Sequence, residues 1–179
     1  MTKYIAFLRA INVGGRNVKM DRLREIFESL GFSNVETFIA SGNVIFETNS
    51  KDADKLEKTI EKNLKETLGF EVATFLRTDS ELAEIAKHKP FKQFQLDSAS
   101  ALNVAFISDP LDDKEKKSLI ALKTDIDDFH VHGREVYWMC LKKQSESKFS
   151  NVMLEKMLGM KSTMRGINTI KKMADKYAA

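Results

Sequence analysis

The chain has 179 residues, 42% hydrophobic and 31% charged, with a net charge of +3. That length suits one ordinary domain or two small ones, and the composition is that of a globular protein. No apolar run approaches the roughly 20 residues that span a bilayer, the charge falls short of a dedicated DNA binder's basic footprint, and a single cysteine excludes an internal disulfide framework.

The start, Met1-Thr2-Lys3-Tyr4, runs directly into a strand-like segment, which predicts no signal peptide. Cys140 lies within Val136-Tyr137-Trp138-Met139-Cys140-Leu141, where a buried structural thiol in a reducing cytoplasm is the expectation. Tyr4 to Ala10 reads as a buried strand. A loop rich in glycine and basic residues follows, Ile11 to Lys19. Leu23, Ile26, Phe27 and Leu30 then recur on one helical face that Gly31 closes. Val35–Ala40 and Asn43–Glu47 are strands joined at Ser41-Gly42. Leu56, Ile60, Leu64 and Leu68 mark a second helix ending at Gly69, and Val72–Leu76 is a further strand. The order is βαββαβ, the ferredoxin-like pattern.

Thr78-Asp79-Ser80-Glu81 is a capping box opening a short helix. The polar stretch from Pro90 to Ser100 reads as irregular and places the subdomain boundary. Leu102–Ile107 is the next strand, and Asp109-Pro110 starts a helix reaching Leu122. Ile126–Val131 and Glu135–Leu141 form a hairpin, Ser150–Leu158 a helix stopped by Gly159, and Lys161–Arg165 a last strand. An added helix spans Asn168–Tyr177, with Ile170, Met173, Ala174 and Tyr177 facing inward. The fold class expected is therefore α+β: two tandem ferredoxin-like subdomains with antiparallel sheets. They cover residues 1–77 and 101–179, with a helix and linker at 78–100.

The halves also align in detail. Ala6-Phe7-Leu8 matches Ala105-Phe106-Ile107, and Phe38–Phe46 lies against Phe129–Tyr137 with Gly42 opposite Gly133. Leu8 to Leu30 carries about seven more residues than its counterpart, Ile107 to Leu122, and the excess is the glycine loop. A bare turn does not need that length.

Paired glycines let backbone N–H groups point into one concavity, and a following helix N-terminus adds positive potential. Arg9, Asn12, Gly14, Gly15 and Lys19, with Arg16 nearby, form a candidate anion site. The spacing matches neither GxxxxGK[ST] nor GxGxxG. The plain alternative is a long surface loop with solvated basic residues. In a βαββαβ sheet the first and third strands are antiparallel neighbours, so the start of the third meets the end of the first. Topology thus brings Ser41, Gly42 and Asn43 beside Arg9 and Asn12. Arg165, just ahead of a helix, either holds an anion or pairs internally, while Ser150 and Asn168 suit helix N-caps.

Classical catalysis has little support. His130 and His132 share one strand face, His88 lies beside Pro90, and no spacing resembles a zinc site, so neither a metal nor a cofactor is expected. Asn43–Glu47 lacks the glycine and aromatic signature of the RNA recognition motif. Both faces of the first strand are apolar, which predicts a sheet covered on both sides.

The run Phe7-Leu8-Arg9-Ala10-Ile11-Asn12-Val13-Gly14-Gly15, with Val18-Lys19-Met20 and Ser41-Gly42-Asn43-Val44, resembles the domain of unknown function 1697 family of bacterial proteins. Ser147-Lys148, Glu155–Gly159 and Thr163-x-Arg165 resemble that family's C-terminal pattern. Members often carry Asn-Trp after the C-terminal arginine, where this chain has Gly166-Ile167. The resemblance implies two related α+β subdomains and no established activity. The expected function is binding of an anionic, phosphate-bearing ligand, a nucleotide or nucleic acid, at the glycine loop, with no membrane partner. A protein-interaction or regulatory module without catalysis is the alternative, and an enzyme acting on a small phosphorylated metabolite is a third reading. The sequence sets no oligomeric state.

Overall fold

The computed structural model describes residues 1–39 and 42–178. Their contacts form two compact units, residues 1–83 with 173–179, and residues 84–172.

The first unit is built from β1 (Thr2–Leu8), α1 (Met20–Ser29), β2 (Ser33–Thr37), β3 (Asn43–Thr48), α2 (Ala53–Leu68) and β4 (Thr74–Thr78). Its antiparallel sheet has the order β2-β3-β1-β4. One sheet face, carrying Tyr4, Ala6, Leu8, Val44, Phe46 and Leu76, packs under Leu23, Ile26 and Phe27 of α1 and Leu56, Ile60 and Leu64 of α2. These are the helical stripes read from the periodicity. Gly69 closes α2 in the left-handed conformation at φ 84°, where an L side chain is disfavoured. The opposite face presents Ile5, Phe7, Ile45 and Phe75, and all four are buried.

β1 stops at Leu8 rather than Ala10, because Ala10 turns to φ 54°, outside the range of a strand. β2 ends at Thr37, short of the expected Ala40, which lies outside the described residues. Ile39 has φ 59° and breaks the extended run. β4 sits two residues later than Val72–Leu76, with buried Val72 serving as a core anchor ahead of the strand.

α3 (Asp79–Lys87) opens with the expected capping box. The Thr78 N–H donates to Glu81 Oε1 at 2.9 Å, and the Glu81 N–H donates to Thr78 Oγ1 at 3.2 Å. α4 (Gln93–Ser98) occupies part of the segment expected to be irregular. It has no apolar stripe to betray it, and its first turn is held by Gln95, whose Oε1 accepts from the Lys92 N–H at 3.1 Å.

The second unit continues with β5 (Ala101–Phe106), α5 (Asp113–Ile120), β6 (Asp127–His132), β7 (Glu135–Cys140), α6 (Asn151–Leu158) and β8 (Thr163–Gly166); α7 (Ile167–Tyr177) follows, its residues through Lys172 counted with this unit and those from Met173 with the first. Its sheet order is β6-β7-β5-β8, again antiparallel. α5 begins later than Asp109-Pro110 suggests, because Asp112 supplies the cap: its Oδ1 accepts from the Glu115 N–H at 2.7 Å. Ser150 caps α6 as expected. Asn168 does not cap; it lies in the first turn of α7. The core places Ala105, Ile107, Val136, Trp138 and Cys140 against Leu119 of α5 and Leu154 and Leu158 of α6.

Each half thus follows βαββαβ order in an α+β chain. Phe7 faces Asn43 and Phe75, while Phe106 faces Glu135 and Thr163, so Ala6-Phe7-Leu8 corresponds to Ala105-Phe106-Ile107. The hairpins differ from the sequence alignment by one residue. The Leu8 N–H donates to the Gly42 carbonyl and the Ile107 N–H to that of Arg134, so Gly42 corresponds to Arg134 and not to Gly133.

Candidate functional site

The glycine loop connects β1 to α1 through residues 9–19, and it is pinned rather than draped. Ile11 and Val18 are buried in the first unit's core. The Val18 N–H donates to Asn12 Oδ1 at 2.8 Å and closes the loop between them. Arg16 donates to the Ala10 carbonyl at 3.5 Å and lies 4.2 Å over the Phe70 ring, a cation–π contact. Gly14 and Gly15 turn at φ 61° and 84° in open surroundings. The Arg9 N–H donates to the Ala73 carbonyl, and its side chain is half-buried. Lys19 is exposed at the N-terminus of α1 and makes no capping hydrogen bond.

The end of β1 does meet the start of β3. Gly42 packs so closely there that a Cβ would fall 2.8 Å from Ile11 Cγ2 and 3.1 Å from Leu8 Cβ. Asn43 is fully buried, and its Nδ2 donates to the Phe38 carbonyl at 2.8 Å. Ser41 lies outside the described residues. Asn12 and Asn43 therefore each take part in a hydrogen bond between side chain and backbone, while Gly14, Gly15 and Lys19 are exposed.

Arg165 belongs to the second unit, on β8 opposite Val104. It is 7% exposed, and its Nη1 donates to Thr163 Oγ1 and to the Met164 carbonyl, both at 2.8 Å. Burial lowers its pKa to about 10, which keeps it cationic at neutral pH. Arg77 holds the corresponding place on β4, opposite Ile5, is 1% exposed, and donates to the Leu76 carbonyl at 2.8 Å. The position is thus a buried arginine shared by both sheets.

The second unit contains a cavity of about 630 Å³ that the sequence did not point to. Lys87 and His88 at the end of α3, Lys89, Asn103 of β5, and Asn168 and Lys171 of α7 contribute polar lining. Ala86, Pro90, Leu102 and Ile167 supply apolar lining, and Asp97 adds one acid against the three lysines. The first turn of α7 borders it, so backbone N–H groups and positive potential border the same space.

Two further groups escaped sequence reasoning. Asp127 is 4% exposed, and its carboxylate accepts from Trp138 Nε1 at 2.9 Å, Ser147 Oγ at 2.7 Å and Thr124 Oγ1 at 2.8 Å. Burial by itself would raise its pKa, but the hydrogen bonds, led by that from Ser147, hold it below the ordinary carboxylate value. In sequence it looks like one more acid in an acidic turn. The second is the place of His88: it lies against His130 and His132, whose shared strand face the sequence did display, although 42 residues separate it from His130. The Cys140 thiol is buried and burial pushes its pKa up, as expected of a structural thiol.

No curated protein matches this chain. A conserved bacterial protein, SP0830 from Streptococcus pneumoniae, has a solved structure similar to it with a TM-score of 0.78. That similarity covers 100% of this chain and 99% of the other at 23% identity, and it shows a common fold. The family described as a protein of unknown function (DUF1697) matches residues 1–137, most of the chain and all of the glycine loop, and the chain belongs to that family.

Proposed function

We propose that this protein binds a small anionic, phosphate-bearing ligand in the cavity of its second unit. The observation that carries the reading is the lining: three lysines, Lys87, Lys89 and Lys171, against one acid, Asp97, around about 630 Å³. That volume falls within the range of small-molecule pockets. Lysines act as point charges for phosphate, and Asn103 and Asn168 offer amides to orient it. The apolar lining suits a sugar or base. A nucleotide-sized solute fits these features better than a nucleic acid, since Ile5, Phe7 and Phe75 in one sheet and Val104, Phe106 and Tyr137 in the other are buried and unavailable for base stacking.

The competing location for the same class of ligand is the glycine loop, where Lys19 is exposed at a helix start without a side-chain cap, beside Gly14 and Gly15. Isothermal titration with nucleoside mono- and diphosphates against three charge reversals separates the two. Lys87→Glu and Lys171→Glu are each expected to weaken binding about tenfold, the equivalent of one charge contact, with Lys19→Glu unchanged. Loss in Lys19→Glu alone would move the site to the loop. Absence of binding, or equal affinity in all three variants, would end the reading. The interaction-module alternative draws on Phe94, 67% exposed beside Leu141 and Met139 at a smaller hollow of about 240 Å³. Self-association in light scattering that Phe94→Ser abolishes would favour it.

A further inference from the structure

All three histidines of the chain converge in the second unit. His130 and His132 alternate with Phe129 and Val131 along β6; those two join the core, so the histidines share the opposite face. His88 follows α3, whose end is fixed beside β7 by Tyr137, the phenol donating to the Ile85 carbonyl at 3.3 Å. His88 Nε2 lies 3.0 Å from His130 Nε2, and the His88 and His132 rings are centred 4.0 Å apart. One ring nitrogen from each of the three falls within 4.8 Å of the others.

We propose that His88, His130 and His132 form a three-imidazole site for a late divalent transition-metal ion of the zinc class. The argument is one of donor type and spacing. Zinc bound tetrahedrally to imidazole at 2.0–2.1 Å sets its nitrogens roughly 3.3 Å apart. The closest pair already stands near that separation. His132 is the exposed member of the trio, and its ring nitrogen lies within 4.8 Å of those of the other two. The trio offers nitrogen alone, which selects against the hard ions magnesium and calcium. The nearest acid on the strand, Asp128, is engaged elsewhere, with the Phe129 N–H at 2.8 Å and Lys123 at 3.6 Å. Three protein ligands leave a fourth position for water or a solute, as in open zinc sites. His88 also lines the cavity described above, yet the metal site stands on its own geometry and does not depend on what that cavity binds.

The test uses the full chain, free of any purification tag and stripped with a chelator. Zinc chloride is titrated calorimetrically, and cobalt chloride is followed by absorption, where tetrahedral nitrogen ligation gives intense visible bands. One ion per chain with a dissociation constant at or below about 1 µM is expected. His132→Ala, on the exposed strand end, should weaken it by at least about tenfold, as should His88→Ala and His130→Ala. Circular dichroism confirms that His132→Ala is folded, so the proposal does not rest on the two less exposed positions. No saturable binding at about 100 µM zinc, or undiminished affinity in a folded His132→Ala, would show the histidines to be a stacked cluster only and overturn the site.

Discussion

The two units solve the same folding problem with different side chains at corresponding places. Tyr4 faces Phe46 across β1 and β3, and Asn103 faces Trp138 across β5 and β7, so Phe46 and Trp138 occupy one position in two sheets. In the first unit the position is purely aromatic. Phe46 stacks 4.3 Å from Phe32, with Tyr4 and Phe27 each 5.6 Å away. In the second, the indole adds an N–H that must be satisfied once buried, and Asp127 satisfies it. The connections differ in the same spirit: residues 9–19 lead from β1 to α1, but residues 107–112 suffice from β5 to α5. What the units share, the strand order and the buried Arg77 and Arg165, belongs to the scaffold. What they do not share marks where either special structure or function has been added.

The comparison breaks most severely at Asp127. Asp127→Ala removes the acceptor for three donors and is expected to cost about 3 kcal/mol, read as a lowered urea midpoint. A pH series sharpens it. The folded carboxylate titrates below its ordinary value of 3.8, so its contribution is present in full above that pH and is lost as the pH falls below it. The difference between the natural chain and Asp127→Ala should therefore narrow on acidification below about pH 4. A difference unchanged down to pH 2 would mean the charge is not what the network uses.

A smaller effect distinguishes two kinds of glycine in the first unit. Gly42→Ala meets both a left-handed φ of 84° and atoms of Leu8 and Ile11 within contact range, and should cost about 2 kcal/mol. Gly15→Ala has the same φ of 84° but open surroundings, and should cost about 1 kcal/mol. Equal thermal shifts in the two variants would contradict the packing of the loop onto the hairpin. In the second unit Arg134 stands where Gly42 does, so that close approach is particular to the long loop.

How much of this was legible follows from the range of the interactions. Helix stripes such as Leu56, Ile60 and Leu64, the box from Thr78 to Glu81, and the stop at Gly69 are local, and the sequence displays them directly. Boundaries failed where one backbone angle decides: Ala10 and Ile39 turn to positive φ although nothing in their side chains announces it. The hairpin alignment slipped because matching glycine to glycine ignores which carbonyl the neighbouring strand accepts. The proposed loop site was visible as a motif, but the hydrogen bonds from Val18 to Asn12 and from Asn43 to Phe38 were not, and they take up the amides. His88, Asp127 and the lysine-lined cavity were hidden for a single reason. Each acquires its role from partners that folding, not the chain, places alongside.

The central claim is that ligand binding belongs to the second unit, while the glycine loop of the first is held by its own packing. Amide chemical-shift mapping of the isotopically labelled full chain, titrated with a nucleoside diphosphate, tests it most directly. The account predicts perturbations in residues 86–90, 101–103 and 166–171, with residues 9–19 unmoved. Perturbations confined to residues 9–19 and 42–43 would contradict it.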